Sequence, residues 1–488
     1  MKHLFLAHLL FFLFAAPGYS AAEAPNPQAV TRSDLYAWLA GGISNSRLSQ
    51  LLTERGVAFS VSATEEAALR AAGADTALLK TLRGLHPATA GTLPSCPLAL
   101  VHAAQLMHQK RYDAAESELS AVVRSEPGNA RFHFALGEAL RQQEQWDAAL
   151  DEFTESARLA PGSPETHNRL AYVFHRSEDA DSTLAEARTA LSIDPRNAEA
   201  YRYLGLGLYA TGKYDAALHA YQESLLREPE NPDVYYDMGI ALHDRGDLRG
   251  AALAYRHALR LRPDFWEAHS NLGIVWHDLG RLDDAITEYR EAKRLAPDQS
   301  SVRNNLGNTY CDKADYDAAI AELHELYKMD AGWDSGHACM ARALMAKKAY
   351  REAISHLRAA VLQNPTGAPE HRILGQALLL TGHPEAALEE FQLAVYLSPD
   401  SALAHHYLGT ALFELQSFEA AEKEFREAVR LEPTAQNHYS LAACLMAVNR
   451  NDEALAELEN ASRLDPAQNL YRARKEELLK VMVPRVPR

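Results

Sequence analysis

Cysteine is scarce in this chain, with Cys96, Cys311, Cys339 and Cys444 the only four in 488 residues. They show no paired spacing, so no disulfide framework can be read from them, and they are expected to pack as small buried hydrophobes. Positive charge is also short. Against 65 Asp and Glu stand 49 Lys and Arg, a formal net charge of −16. That excludes a general phosphate-backbone binder, which needs a basic surface, so no nucleic-acid partner is expected. Beyond residue 24 no stretch approaches the length of apolar chain that spans a bilayer, and no stable membrane insertion is expected. Catalytic signatures are missing too: there is no P-loop, no HExxH and no Gly-x-Ser-x-Gly. One loose dinucleotide match, Gly205-Leu-Gly207-Leu-Tyr-Ala210, requires a preceding strand and falls in a helical stretch instead. No cofactor, no metal and no enzymatic activity follow from these residues.

What is present begins at the N-terminus. Met1-Lys2-His3 leads into LFLAHLLFFLFAA, apolar apart from His8, and then into the small residues Gly18-Tyr19-Ser20-Ala21-Ala22. Residues 1–24 therefore read as a secretory signal peptide, too short for a spanning helix. With no cysteine near the cleavage zone, the layout is not that of a lipoprotein. The expected location is exported, periplasmic or extracellular.

Residues 30–86 read as a small helical domain. A helix from Thr31 to Ala40 stops at Gly41-Gly42, and a second starts at Asn45 or Ser46 and ends at Gly56. Ser62 with Glu65 has capping-box spacing for a third, which stops at Gly73. Asp75 caps a fourth that runs through Leu82, with Gly84 beyond it. Leu48, Leu51, Leu52, Leu69, Leu78, Leu79 and Leu82 suffice for a miniature core. A hidden activity here would need clustered titratable side chains, of which the region has few.

From Cys96 onward one pattern governs. In NPDVYYDMGIALHDRGDLRGAALAYRHALRLRP, Asn231 to Pro263, Asn231 caps a helix opened by Pro232 and ended by Gly246. Ala251, Tyr255 and Ala258 form the apolar stripe of a second helix, closed by Pro263. Neither helix can bury its face alone. Gly239 recurs at 34-residue steps as Gly137, Gly205, Gly273, Gly307, Gly375 and Gly409. Pro263 recurs as Pro127, Pro161, Pro195, Pro229, Pro297, Pro365, Pro399 and Pro433, then Pro466 after a one-residue deletion. Ala251 recurs from Ala115 to Ala454 with only Thr183 interrupting. A 34-residue helix–turn–helix with L-G, A-x3-F/Y and a closing Pro resembles the tetratricopeptide repeat (TPR) family. The resemblance covers residues 96–468, in eleven units: 96–129, 130–163, 164–197, 198–231, 232–265, 266–299, 300–333, 334–367, 368–401, 402–434 and 435–468. It implies an all-α, right-handed superhelix, an α-solenoid. The junction of repeats 7 and 8 departs most, with Ala331 for the proline and Gly332-Trp333-Asp334-Ser335-Gly336 following. Residues 469–483 read as a capping helix with Leu470, Leu478, Leu479 and Met482 on its apolar side, and the tail VPRVPR as frayed.

Within the first helix of a unit, positions 2, 5, 9, 12 and 13 share one stripe. The resemblance implies that this stripe lines a concave groove where ligands dock. In repeats 5 to 7 it reads Asp233, Tyr236, Ile240, His243, Asp244; Glu267, Ser270, Ile274, His277, Asp278; and Ser301, Asn304, Asn308, Cys311, Asp312. Stacking would make one row of His243, His277 and Cys311 and another of Asp244, Asp278 and Asp312. Three readings stay open: a solvated polar face, a groove for an extended partner segment, or a metal site from two His and a Cys. For the second, basic side chains of the partner would meet the Asp row, and Asn304 and Asn308 would hold its backbone, as asparagines do in peptide-binding members of the family. The basic clamp that some members use for a terminal carboxylate is not matched, because Arg202 and Arg342 stand isolated in the sequence. The expected function is a protein–protein interaction scaffold. The alternatives are a structural assembly factor for an envelope or secretion complex, or a non-catalytic subunit of an enzyme complex.

Overall fold

The structure, a computed structural model, describes residues 29–86, 96–330, 332, 333 and 335–482. The signal-peptide expectation, the tail beyond Met482, and Ala331 and Asp334 lie outside them. Twenty-seven helices make up the described residues, and a single parallel bridge, Val30 to Val57, is the one β contact among them. No described helix is long and apolar enough to cross a membrane. The chain falls into two compact units, one up to Pro229 and one from Glu230.

The first unit starts with α1 (Arg32–Ala40), α2 (Asn45–Arg55), α3 (Ala63–Ala71) and α4 (Thr76–Gly84). Thr31 and Asp34 form a reciprocal capping box at α1. At α3 only half of the expected box forms. The Ser62 hydroxyl accepts from the Glu65 N–H, while the Glu65 carboxylate is taken by Arg32. The seven leucines expected in a miniature core are all buried. Their cluster, however, is continuous with Leu100, Ala104, Phe132 and Phe153 of the repeats that follow. These four helices are thus not self-contained: α1 packs on the first helices of repeats 1 and 2, and α3 on that of repeat 1.

Each repeat is a helix A and a helix B, for example Pro232–Asp244 and Leu248–Leu261 in repeat 5. Asn231 accepts from the N–H groups of Asp233 and Val234, and Pro232 fills the first turn, where no donor is needed. The repeat glycine exists for packing. A Cβ on Gly239 would sit 2.5 Å from Tyr255 Cε1, and one on Gly273 2.7 Å from Tyr289 Cε1. The helix B aromatic lies flat on bare backbone, and Tyr255 is 2% exposed. Gly246, at the A–B turn, has φ +90°. The same turn position is left-handed in every repeat, and seven of the eleven residues there are not glycine: Lys110, Glu144, Glu178, Ala314, Lys348, Gln416 and Asn449, with φ from 58° to 62°. Packing on both sides imposes a conformation that those side chains disfavour.

The second unit holds repeats 5 to 11 and a final helix. The irregular junction has a concrete consequence. Helix A of repeat 8 spans only His337–Ala346, ten residues against thirteen in repeat 7, and starts after a left-handed Gly336 (φ 87°). The final helix, Asn469–Met482, is rotated from its expected setting: Tyr471 and Leu478 are buried, while Leu470 and Leu479 are exposed. Residues seven apart face repeat 11, so Tyr471 takes the place expected of Leu470.

Candidate partner-binding groove

The groove stripe of repeats 5 to 7 comes from helices A at Pro232–Asp244, Trp266–Asp278 and Ser300–Asp312. Adjacent repeats do bring equivalent positions together, but the contacts run between the two expected rows. His243 Nε2 lies 3.0 Å from Asp278 Oδ2, and His277 Nε2 lies 2.9 Å from Asp312 Oδ2. Each imidazole thus reaches the aspartate of the next repeat, one residue beyond its own equivalent. Partial burial opposes charge on His243, but hydrogen bonds with Asp278 and Asp244 hold its imidazolium above the usual value.

Cys311 does not join the row. It is 3% exposed and bonded to Cys339, with Cα atoms 6.0 Å apart. The expectation that all four cysteines would pack as free hydrophobes therefore fails for two of them; Cys96 and Cys444 are free. The pairing escaped a reading by spacing because it joins helices A of successive repeats. The metal reading loses its sulfur ligand by the same fact. Among the described residues no group of three or more His, Cys, Asp or Glu is placed to hold a metal ion.

Arg342 is not isolated either. It donates to Asp312 Oδ1 at 2.6 Å. Partial burial works against the Asp312 charge, and the hydrogen bonds from Arg342 and His277 outweigh it, keeping the carboxyl below its usual range. Asp233 is held by both terminal nitrogens of Arg262, each at 2.9 Å. Tyr236 accepts from Asn271 Nδ2 at 3.1 Å and packs against Phe265, and burial with the Glu267 charge pushes its phenol up to about 12. Asn304 Oδ1 is buried beside Gly336 without a hydrogen-bond partner, and Asn304 is not among the residues lining the cleft at Asn308. Asn308 lines a cleft of about 610 Å³ with His277, Asp312, Cys339 and Arg342, floored by Ile274 and Ile373. Of the five stripe carboxylates Asp233, Asp244, Glu267, Asp278 and Asp312, Asp233 pairs with Arg262 and Asp312 with Arg342.

In repeats 2 and 3 the same stripe is contacted by α1 and α2 of the chain itself, beside a cavity of about 730 Å³ lined by Trp38, Arg131, Phe134 and Glu165. Position 5 of repeat 2, Phe134, packs so close to Gly41 that a Cβ there would lie 2.2 Å from its ring. Arg131, at position 2, pairs with Asp34 at 2.9 Å. Position 2 of repeat 3, Glu165, receives Arg47, which also reaches Asp194 at 2.8 Å. Glu138, at position 9, is 2% exposed and holds Arg141 and Arg169, and Arg169 donates to the Gly42 carbonyl. No sequence motif signals this docking. The glycine pair is its one trace, since Gly41-Gly42 serves close approach as well as helix termination.

The tetratricopeptide repeat family model matches residues 100–164, 168–233, 204–263, 236–300 and 340–402, and a second tetratricopeptide repeat model matches 402–435. No curated protein matches the chain. Solved structures with similar folds include the Cut9–Hcn1 hetero-tetramer of the APC/C, at 13% identity over 78% of this chain and 96% of that one, TM-score 0.37. Yeast Tom70 is similar at 15% identity over 78% and 93%, TM-score 0.31. YrrB, described as a TPR protein with an unusual peptide-binding site, is similar at 22% identity over 40% and 97%, TM-score 0.33. With family models covering more than half of its residues in register with the helix pairs, the chain belongs to the tetratricopeptide repeat family.

Proposed function

We propose that this chain is a non-catalytic scaffold of an exported compartment that captures a partner protein through an extended segment with basic side chains. The segment lies along helices A of repeats 5 to 9. The observation that carries this reading is a contrast between equivalent positions. The stripe of repeats 2 and 3 is met by α1 and α2, whereas the cleft along repeats 6 to 9 is lined by repeat residues alone, Asn308, Asp312 and Arg342 among them. Partner side chains would meet Asp278 and Glu267, and the partner backbone would meet Asn308. The cleft floor of Ile274 and Ile373 supplies the apolar contact that capture of an extended segment needs. The apolar leader sequence and the Cys311–Cys339 disulfide, a bond that persists in oxidising compartments, support export.

The test is photocrosslinking from position 308 in the native compartment, with mass spectrometry of the captured peptides. The expected captures are rich in Lys and Arg and disappear when Asp244, Asp278 and Asp312 are changed to Ala. The same captures in the triple variant would overturn the groove assignment.

A further inference from the structure

Position 4 of helix A is histidine in seven repeats: His133, His167, His269, His337, His371, His405 and His438. In six of them a glutamate 19 residues later, on helix B, meets the imidazole Nδ1. The distances are 2.6 Å for His133–Glu152, His167–Glu186, His269–Glu288 and His405–Glu424, 2.7 Å for His371–Glu390 and 2.5 Å for His438–Glu457. In five of the six, Nε2 faces the carbonyl of the preceding repeat's proline at 2.9 to 3.2 Å. A carbonyl and a carboxylate both accept, so an imidazole between them satisfies both only when each ring nitrogen carries a proton. For His167 and His269 the contact with glutamate and the proline carbonyl holds the imidazolium above its usual value, against opposing burial.

Repeat 8 inverts the arrangement. Its helix B carries His356 where the others carry glutamate, and the two Nδ1 atoms lie 2.9 Å apart. That geometry is a hydrogen bond in which one ring donates and the other accepts, so the pair holds a single proton between them. A second proton would set two N–H donors and two positive charges face to face. Glu352, on the same helix, favours the charged form, while burial, His337 and His324 of repeat 7 oppose it more strongly. Tyr327, also from repeat 7, stacks on His337 with ring centroids 4.8 Å apart and lies 5.5 Å from His356, and its hydroxyl donates to the Ser335 carbonyl. The helix A that this pair closes is the shortened one, and it carries Cys339 and Arg342 of the cleft.

We propose that repeat 8 is a pH-sensitive joint, closed near neutrality by the His337–His356 hydrogen bond and opened by acid, while the His–Glu clips of the other repeats stay fastened. The direction follows from proton counting. The closed repeat binds fewer protons than the open one, so its closure is complete above the ordinary imidazole range and is lost as pH falls through it. His167 and His269 have the opposite sign. The joint does not depend on the groove reading, since it rests on contacts between helices A and B of one repeat.

Hydrogen exchange of the full chain, followed by mass spectrometry at about pH 7.5 and about pH 5.5 and corrected for the intrinsic rates, tests it. Protection of His337–Ala346 is expected to fall about tenfold at the lower pH relative to the first helices of repeats 9 and 10, because about pH 5.5 lies one pH unit, a decade of proton concentration, below the ordinary imidazole value of about 6.5. His356→Glu, which installs the clip of the other six repeats, is expected to abolish that fall. Where this variant does not give the wild-type helical spectrum at neutral pH, His356→Gln, a neutral partner, carries the same expectation. A pH response of repeat 8 equal to that of repeats 9 and 10, or one that survives the substitution, overturns the proposal.

Discussion

Reducing the Cys311–Cys339 bond isolates its contribution without changing a side chain. The bond closes a loop of 28 residues. The chain-entropy relation assigns such a loop ~3.5 kcal/mol, by restricting the open state rather than adding a native contact. In a repeat array each unit touches only its neighbours, so the effect concentrates in repeats 7 and 8. Hydrogen exchange with and without a phosphine reductant reads it directly. Since each 1.4 kcal/mol is a factor of ten, protection in Ser300–Asp312 and His337–Ala346 should fall by up to about two and a half decades, with repeats 9 and 10 unchanged. Thiol titration of the denatured chain supplies the control. The oxidised protein should show two thiols, Cys96 and Cys444, and the reduced protein all four. Four thiols before reduction would refute the pairing. Two thiols with unaltered protection after reduction would refute the reasoning that the bond holds the junction together.

Gly239→Ala forces a methyl group against the fully buried Tyr255 ring, and overpacking of this kind costs roughly 1–3 kcal/mol, measurable as a lower urea midpoint. Ala314→Gly should act in the other direction, adding about 1 kcal/mol of stability and so raising the midpoint, because a left-handed φ of 62° strains alanine and not glycine. The hydrogen bond that His167 donates to Glu186 holds the imidazolium above its usual value despite opposing burial. Its stabilising contribution is therefore complete below about pH 6.5 and is lost as pH rises through the raised value. The melting-temperature gap between wild type and His167→Gln should be widest near pH 6 and narrow by pH 8; a gap that widens with pH would reverse the sign of the argument.

The fold was legible because the repeat writes the same packing problem eleven times. Gly239 against Tyr255, Asn231 with Pro232, and Gly246 at the turn are local devices, and periodicity exposes local devices. The groove stripe was legible as a set of neighbours for the same reason. What it holds was not. Asp278 and Asp312 meet histidines 35 residues earlier, an offset of one from the repeat, so aligning equivalent positions concealed the bonds. Cys311 and Cys339, at a separation of 28, fall outside the period altogether. The 19-residue step from His133 to Glu152 recurs six times and was available in the sequence to a search across the two helices of each unit. The docking of α1 to α4 was out of reach. It depends on shape at Gly41 and Phe134 and on scattered pairs such as Arg47 with Glu165, none of which repeats.

That docking decides how this protein can be studied in pieces. A fragment beginning at repeat 1 would uncover Leu100, Ala104, Met107 and Phe134, all buried in the full chain. It would also leave Glu165 without Arg47. Such a trough, apolar with an unanswered carboxylate beside it, is adhesive bait. It would retain proteins that the intact chain never meets, and the interactome recorded with it would describe a missing piece of the molecule itself.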